Sequence, residues 1–323
     1  MTGAPEVDYT ATSLRPDWTT LPAELHEALA VALGTEITRV GPSVGSGFTG
    51  GFAAPAHLAD GRKVFIKAAD ESMHAHHAYQ REAEVVPQLP PAIKIPPIVG
   101  TAHTPEWFAV VSEWVDARMP GNPWTAADFA VVTANCELVA EAMDPCPLAD
   151  LQPFLDDLGE GGPLETPARI IAGDLPMPTG LQPWARDVLP HLVDLIQLAP
   201  EAFAGDSAIH GDLRPDNLLI DTTGTCWTVD WNWLALGPRW MDWIGLLPMA
   251  HHHGIDTFAA IRRSPLTADV PGDYLDAYNA AIAAYMLHNA DAPPPPGCTP
   301  ALREHQRLFA WTFLDWLKTR RGW

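Results

Sequence analysis

Three oxygen-bearing side chains stand at fixed spacing within residues 208–231. Asp212 precedes Asn217 by five residues, and Asp230 follows that Asn by 13. Apolar runs flank the turn Thr222-Thr223-Gly224, so we predict a short hairpin that returns Asp230 to Asn217 and to the Asp212 loop. Two such oxygen ligands can hold Mg²⁺, which leaves one carboxylate to accept a proton from a nucleophile.

This stretch resembles the aminoglycoside phosphotransferase family of small-molecule kinases. The run is His-Gly-Asp-Leu-x-Pro-x-Asn-Leu from His210, followed by Val-Asp-Trp ending at Trp231. The resemblance implies Asp212 as the catalytic residue, Asn217 and Asp230 as the Mg²⁺ ligands, and His210 as a support of the loop. Protein kinases are disfavoured, because they have Arg where Gly211 stands here and an Ala-Pro-Glu segment that this chain lacks after Asp230.

A glycine-rich turn lies upstream, between two predicted strands. Residues 45–51 contain four glycines, and glycines let a backbone approach phosphates with its N–H groups. By resemblance, the backbone of Gly47, Phe48, Thr49 and Gly50 covers the nucleotide phosphates. A flexible hairpin is the alternative explanation of such a turn.

Lys67 ends the third predicted strand, after an apolar run that should bury its stem. A buried Lys needs an anionic partner. In the resembled family this Lys holds the α- and β-phosphates and pairs with a helix Glu. Glu82 lies 15 residues further on and matches that Glu, while Glu84 is the alternative on the opposite helix face.

The apolar run Glu106 to Ser112 predicts a buried strand. By resemblance its end is the hinge between two lobes, where the adenine ring meets backbone. We predict the carbonyl of Ser112 and the N–H of Trp114 as its contacts. Further along, Asp242 is expected to cap a helix and brace the catalytic loop.

The resemblance implies a bilobal, protein-kinase-like fold of the α+β class. We expect an antiparallel-sheet N-lobe over residues 1–115, with residues 1–20 as a loose arm, and a mostly helical C-lobe over residues 116–323. Predicted helices include 22–33, 72–89, 125–143, 271–288 and 300–318. Six large apolar residues in nine predict that the last helix is mostly buried.

Composition excludes several classes of protein. With 323 residues and 47% hydrophobic residues, the chain can bury a full core. It lacks a long apolar run and a secretory signal pattern, and its four cysteines are unpaired in spacing, so we expect a cytoplasmic protein with reduced thiols. The net charge of −21 argues against nucleic acid as a partner.

Two features leave alternatives open. Residues 116–206 carry 15 acidic residues against three basic ones, which fits either a solvated acidic surface or a field that gathers a cationic acceptor. The histidines at 74, 76 and 77 and at 251–253 suggest surface positions more than a metal site, although the second group could lie in the substrate cleft.

We therefore expect an ATP- and Mg²⁺-dependent O-phosphotransferase acting on a small-molecule hydroxyl. An aminoglycoside or related amine-bearing antibiotic or sugar is the favoured acceptor, which would make the protein an antibiotic-resistance enzyme. The alternatives are a kinase of another metabolite, such as a nucleoside, amino alcohol or peptide antibiotic, and a non-catalytic nucleotide-binding pseudokinase. The sequence leaves the oligomeric state unknown.

Overall fold

A computed structural model of the protein describes residue 7 and residues 12–48, 50–159 and 162–323. Its first half is built on a five-stranded antiparallel sheet of order β1-β2-β3-β5-β4. The strands are β1 Ile37–Val40, β2 Phe52–Leu58, β3 Lys63–Asp70, β4 Ile98–His103 and β5 Trp107–Glu113. The predicted antiparallel N-lobe is confirmed.

Two helices complete this N-lobe. Helix α1, Ala23–Leu33, lies in a predicted helical range, buries Leu25, Leu29 and Leu33 against the sheet and ends at Gly34 in the left-handed conformation. Helix α2, His74–Val85, begins later than predicted and is extended by a 3₁₀ turn, Val86–Gln88. A further 3₁₀ turn, Trp18–Thr20, precedes α1.

The segment before α1 is tied down, so the expectation of a loose arm is wrong for residues 12–20. The backbone N–H groups of Thr12 and Ser13 donate to the carbonyl of Gly45 at 3.0 and 3.3 Å. Leu14 N–H donates to the carbonyl of Gly297 at 2.9 Å, and Ser13 forms a β-bridge with Cys298. We use the name clasp for three segments that meet here: residues 12–15, 45–51 and 297–299. Thr49 lies outside the described residues. The rest of the predicted arm, except Val7, is also outside the described residues.

The C-lobe is mostly helical, as predicted. Its helices are α3 Ala126–Ala142, α4 Phe154–Gly159, α5 Thr166–Ala172, α6 Trp184–Ile196, α7 Ala199–Ala202, α8 Met241–His252, α9 Thr257–Arg263, α10 Gly272–Asn289 and α11 Ala301–Arg321. Thr125 caps α3 by accepting a hydrogen bond from Asp128 N–H, as a threonine at a helix start often does. Helix α11 buries Phe313, Leu314, Trp316 and Leu317 almost completely, which confirms the predicted burial.

Short strands carry the catalytic segment on this helical body. They are β6 Ala117–Arg118, β7 Ser207–Ile209, β8 Leu218–Asp221, β9 Cys226–Thr228 and β10 Ala235–Gly237. β8 and β9 form the predicted hairpin, with Leu218 opposite Thr228, and β6 adds to its other edge. β7 pairs with β10, so the segments before and after the hairpin are held together.

We propose residues 115/116 as the boundary between the lobes. Strand β5 is the last strand of the N-lobe sheet, whereas β6, four residues later, pairs with β8 of the catalytic hairpin. Separate apolar clusters lie on the two sides, one around Phe52 and Ile66 and one around Trp243 and Trp316. None of the described helices is both long enough and apolar enough to cross a membrane.

Candidate active site

Lys67 of the N-lobe forms ion pairs with Glu82 of the same lobe and with Asp230 of the C-lobe. Its Nζ lies 2.9 and 2.7 Å from the two carboxylate oxygens of Glu82, which α2 presents to β3. The same Nζ contacts Oδ1 of Asp230, from the end of the catalytic hairpin. Burial alone would lower the pKa of Lys67, but the charges of Asp230 and Glu82 raise it above the ordinary value, so the side chain stays an ammonium.

The choice between the two helix glutamates is settled by their positions. Glu82 is buried beside Lys67, whereas the side chain of Glu84 is 65% exposed and pairs with Arg81 at 3.0 Å. Burial raises the pKa of Glu82, and the ammonium of Lys67 opposes this shift. The predicted Lys67–Glu82 pair is therefore present.

The loop after β7 holds two aspartates on one arginine. Arg214 Nη1 donates to both carboxylate oxygens of Asp212, at 2.5 and 2.6 Å. Its Nε and Nη2 donate to the two oxygens of Asp216, each at 3.0 Å. Burial raises the pKa of Asp212 against the opposing charge of Arg214, whereas the same arginine lowers the pKa of Asp216 despite its burial.

Asn217 joins this loop to the hairpin. The side-chain Nδ2 of Asn217 donates to the backbone carbonyl of Asp212 at 2.7 Å, and the backbone carbonyl of Asn217 accepts from Val229 N–H at 3.0 Å. Asp230 follows directly, in the left-handed region with φ 64°. Burial raises the pKa of Asp230, but the ammonium of Lys67 helps to lower it below the ordinary value, so this carboxylate stays ionised. The fold thus brings Asp212, Asn217 and Asp230 to one place, as the hairpin prediction requires.

Asp242 braces the loop from below. Its carboxylate accepts from the backbone N–H groups of His210 and Gly211, at 2.7 and 3.1 Å. It stands in the first turn of α8 rather than at the cap position, which Trp240 occupies, so only the bracing part of its predicted role is met. His210 Nε2 lies 2.9 Å from the carbonyl of Val229, an arrangement that also supports the loop.

Gly211 has a steric reason to be glycine. Its φ is 78°, and a Cβ built there would lie 2.3 Å from the carbonyl oxygen of Trp233. Any side chain would displace the backbone that follows Asp230. The Arg of protein kinases therefore cannot be accommodated at this position in this loop.

A cavity of about 490 Å³ lies between the lobes. Its lining contains the predicted residues Gly47, Lys67, Glu82, Ser112, Trp114, Asn217 and Asp230. Two buried polar atoms on its wall, Nε1 of Trp114 and Oδ1 of Asn232, have no hydrogen-bond partner among the described residues. Such atoms are costly to bury unpaired, so this wall fits a polar ligand.

Part of the predicted phosphate cover faces elsewhere. The carbonyl of Phe48 accepts from Cys298 Sγ at 3.0 Å, and its ring lies 4.7 Å from that of His305. A Cβ at Gly50 would be only 2.8 Å from Cα of Gly297. Neither Phe48 nor Gly50 lines the cavity, which Ser46 and Gly47 do. Thr49 lies outside the described residues.

The hinge prediction is wrong for Trp114. Its N–H donates to the carbonyl of Lys63 at 3.2 Å, because the pairing of β3 with β5 continues one residue past the strand. This N–H is therefore already used. Val115, the next residue, also lines the cavity, and no backbone hydrogen bond of its N–H is formed with any described residue.

Sequence analysis missed two arginines at this site. Arg15 lines the cavity, and its guanidinium donates to the carbonyls of Gly51 and Ser46 at 2.6 and 2.7 Å. It was hidden in the segment taken for a loose arm. Arg214 stands inside the recognised motif, two residues after Asp212, so its proximity to that carboxylate could have been read from the sequence.

The oxygen donors of Asn217 and Asp230 at the cavity fit a divalent cation. Both side chains offer hard oxygen atoms. The ammonium of Lys67 contacts Asp230, so this carboxylate is already placed beside a positive charge. The described residues contain no cluster of three His, Cys, Asp or Glu side chains that could enclose a metal. These residues therefore fit a cation that takes its remaining ligands from phosphates and water, as Mg²⁺ often does.

Residues 56–285 match the family described as the phosphotransferase enzyme family APH, and the chain belongs to that family. The match covers both Lys67 and the catalytic hairpin, and the chain is accordingly a phosphotransferase. A search of the curated proteins found no match.

Solved structures with the same fold are distant in sequence. Aminoglycoside phosphotransferase APH(4)-Ia superimposes with a TM-score of 0.61 at 14% identity, over 93% of this chain and 99% of that one. Spectinomycin phosphotransferase APH(9)-Ia, solved with ADP and spectinomycin, gives 0.58 at 11%, over 89% and 92%. An amicoumacin kinase, solved with AMP-PNP and Ca²⁺, gives 0.56 at 12%, over 91% and 92%. At these identities the likeness supports the fold alone.

Proposed function

We propose that this protein transfers the γ-phosphoryl group of ATP to a hydroxyl group of a small molecule. One observation carries the proposal: Lys67, Glu82, Asn217 and Asp230 line a single cavity between the lobes, and Asp212 lies hydrogen-bonded beside Asn217. A pseudokinase would be expected to lack one of these groups. All of them are present and ionised or hydrogen-bonded in the sense that catalysis requires.

The phosphates would be held by cations and by backbone. Lys67 is fixed by Glu82, so its ammonium is already oriented before a nucleotide enters. Arg15 and the backbone at Ser46 and Gly47 line the same side of the cavity. For the adenine ring we propose the carbonyl of Ser112, as the sequence predicts, and replace the N–H of Trp114 by that of Val115.

In the reaction the acceptor oxygen forms a bond to the γ-phosphorus while the bond from that phosphorus to the β,γ-bridging oxygen breaks. ADP leaves, and the hydroxyl proton passes to the carboxylate of Asp212. The pKa of this carboxyl is raised by burial, which makes it a better proton acceptor than an ordinary aspartate. Arg214 keeps it ionised by holding both of its oxygens.

Asn217 and Asp230 are the residues that would hold Mg²⁺. When bound, a divalent cation would offset the negative charge that develops on the phosphate oxygens during transfer. Asp230 is suited to this role because Lys67 keeps it ionised, and its side chain is 37% exposed to the cavity. Ca²⁺ and nucleotides accompany the related structures, which supports the assignment of a divalent cation and a nucleotide.

The acceptor proposal from the sequence was an aminoglycoside or another amine-bearing antibiotic or sugar, with a role in antibiotic resistance. Its support is the family and the compounds found in related structures, such as hygromycin B, kanamycin and spectinomycin. Kinases of other hydroxylated metabolites remain the second candidate.

The function is tested by ADP release from the full chain with Mg-ATP across a panel of hydroxylated compounds. We expect at least one compound to stimulate ADP release above the basal rate, and mass spectrometry to find it heavier by one phosphoryl group. Nucleotide binding without any phosphorylated product in a broad panel would favour the pseudokinase. The matched variant Asp212→Asn should abolish the product while retaining nucleotide binding.

A further inference from the structure

A second cavity of about 470 Å³ opens beside the nucleotide cavity. The two share Ser46, Met119 and Asp216, so they meet at the catalytic loop and at the glycine-rich turn. Asp216 is linked to Asp212 through the guanidinium of Arg214. The volume of this second cavity is typical of sites that bind drug-sized molecules. A molecule that contacts Asp216 in this cavity is therefore separated from Asp212, the proposed proton acceptor, by the guanidinium of Arg214.

The lining of this cavity carries almost no negative charge. Asp216 is its only acidic residue among those described, and no Lys or Arg lines it. Both oxygens of Asp216 are bound by Arg214, which compensates this carboxylate. Arg214 is shared with Asp212, so the two carboxylates keep one negative charge in excess. An acceptor with several ammonium groups would lose the hydration of more charges than this excess can balance, and such desolvation is expensive.

Three imidazoles supply the polar part of the wall. They belong to His252 and His253, at the end of α8, and to His305 of α11. Burial lowers the pKa of all three, and that of His305 falls to about 3, with the nearby charge of Arg214 contributing. These rings are therefore neutral at pH 7 and suit hydroxyl or carbonyl groups rather than anions or cations.

Apart from Ser46 and Asn122, the other side chains of the wall are apolar. Met119 and Met249 face it from the segment after the hinge and from α8, and Leu308 and Phe309 from α11. Thioether and aromatic groups bind uncharged surface by removing it from water. The cavity thus combines an apolar wall with a few neutral hydrogen-bonding groups.

The acidic residues of the 116–206 region lie elsewhere. Of those that the structure describes, none lines either cavity. Asp128 is paired with Arg118, and Glu137 accepts a hydrogen bond from Ser264 on another face of the molecule. Their distribution fits a solvated surface rather than a funnel that leads a cation to Asp212.

We infer that the acceptor of this enzyme is an uncharged, partly apolar hydroxyl compound, bound between the His252–His253 end of α8 and the first turns of α11, and not a polyamine. This inference rests on the proposed function and refines its substrate class. It separates the chain from the aminoglycoside-binding proteins that share its fold.

The test uses binding as well as turnover. We would measure the dissociation constants of two probes for the full chain with Mg²⁺ and AMP-PNP, at low and high salt. One probe is 4-nitrophenyl β-D-glucopyranoside, a neutral aryl glycoside, and the other is kanamycin A, a polyamine. ADP release with Mg-ATP is followed separately, so a failure of the kinase proposal shows as binding without turnover.

Two variants of matched exposure locate the binding site. Met119, which lines both cavities, is 46% exposed, and Leu138, which lines neither, is 43% exposed. Both tolerate a charge without burying it. We expect Met119→Asp to weaken the neutral probe by at least about tenfold, which corresponds to 1.4 kcal/mol, and Leu138→Asp to leave it unchanged.

The expected result is that the neutral probe binds at least about tenfold more tightly than kanamycin A, without salt dependence. Tighter binding of kanamycin A that weakens with salt would overturn the inference. So would an undetectable affinity for the neutral probe at millimolar concentration. An equal effect of Met119→Asp and Leu138→Asp would place the probe outside this cavity and would count against the inference as well.

Discussion

Both carboxylate oxygens of Asp212 are held by one nitrogen of Arg214, at 2.5 and 2.6 Å. The same guanidinium holds Asp216 and lies over the ring of Phe48, with 5.2 Å between Cζ and the ring centroid. The proposed proton acceptor, Asp216 at the second cavity and the glycine-rich turn are therefore joined through one side chain. Arg214 favours the ionised form of Asp212 against the effect of burial on its pKa, and this influence can be tested.

Replacing Arg214 by Gln should shift the pH profile of phosphoryl transfer. Arg214 favours the ionised form of Asp212, so its loss raises a pKa that burial has already raised above the ordinary value. Activity requires the ionised carboxylate, so the acidic limb of kcat should move to higher pH. The profile is measured with one identified acceptor. An unchanged acidic limb would mean that Arg214 does not control this proton.

Asp212→Asn should reduce kcat by about 10²–10⁴-fold, the usual contribution of a positioned acid–base group. Asn keeps the size of the side chain but cannot accept the proton. The dissociation constant of ATP should change little, because the nucleotide contacts come from other residues. Asp206→Asn, at an exposed position, is the control. Asp216→Asn should cost less than Asp212→Asn, since Asp216 acts only through Arg214 and the cavity wall.

Asp230→Ala should abolish Mg²⁺-dependent turnover in a folded protein. The variant removes a metal ligand and at the same time an anionic partner of Lys67. Circular dichroism reports the fold, and titration of Mg²⁺ at fixed ATP reports the metal. Near-normal turnover at the usual Mg²⁺ concentration would remove Asp230 from the proposed ligand set.

Glu82→Gln should raise the KM for ATP by about tenfold, whereas Glu84→Gln should leave it unchanged. The two glutamates lie on the same helix, but only Glu82 holds Lys67, and charged hydrogen bonds of this kind contribute about 1.5–3 kcal/mol. Steady-state kinetics at varied ATP provides the comparison. Equal effects of the two substitutions would refute the pairing as the determinant of phosphate binding.

Gly297→Ala should lower the melting temperature more than Gly61→Ala. Both glycines have positive φ, 83° and 89°, so the backbone strain of an alanine is similar at each. Only at position 297 would the Cβ meet the backbone, with Cα of Gly50 at 2.9 Å. The additional cost of such overpacking is about 1–3 kcal/mol. Calorimetry of both variants measures it, and equal melting temperatures would show that the clasp gives way freely.

Much of the site could be predicted because its spacing is local. Asn217 and Asp230 flank one hairpin, and Asp212 lies in the short loop that leads into it, so segments close in sequence fix their convergence. Lys67 and Glu82 lie on adjacent elements, and the need of a buried ammonium for an anion selects Glu82 once the helix is recognised. The apolar pattern of α1 and α11 likewise gave the buried faces correctly.

Other features depend on contacts that no local pattern encodes. The use of Trp114 N–H follows from how far β3 and β5 remain paired, which propensity does not determine. The packing of Gly50 on Gly297 joins segments far apart in the sequence, and the lowered pKa of His305 arises only where α11 meets the catalytic loop. The sequence shows how many acidic residues lie in 116–206, but only the fold shows which face of the protein carries them.

The clasp also affects the order in which parts of the protein can fold during synthesis. Thr299 donates to the carbonyl of Thr12 across 287 residues, and Gly297 supports the glycine-rich turn at Gly50. During synthesis, which proceeds from the N-terminus, the turn is completed early but waits for its support until residue 299 has left the ribosome. The glycine-rich turn therefore gains this support only late in synthesis, and a chain that stops before residue 297 lacks the contact between Gly50 and Gly297.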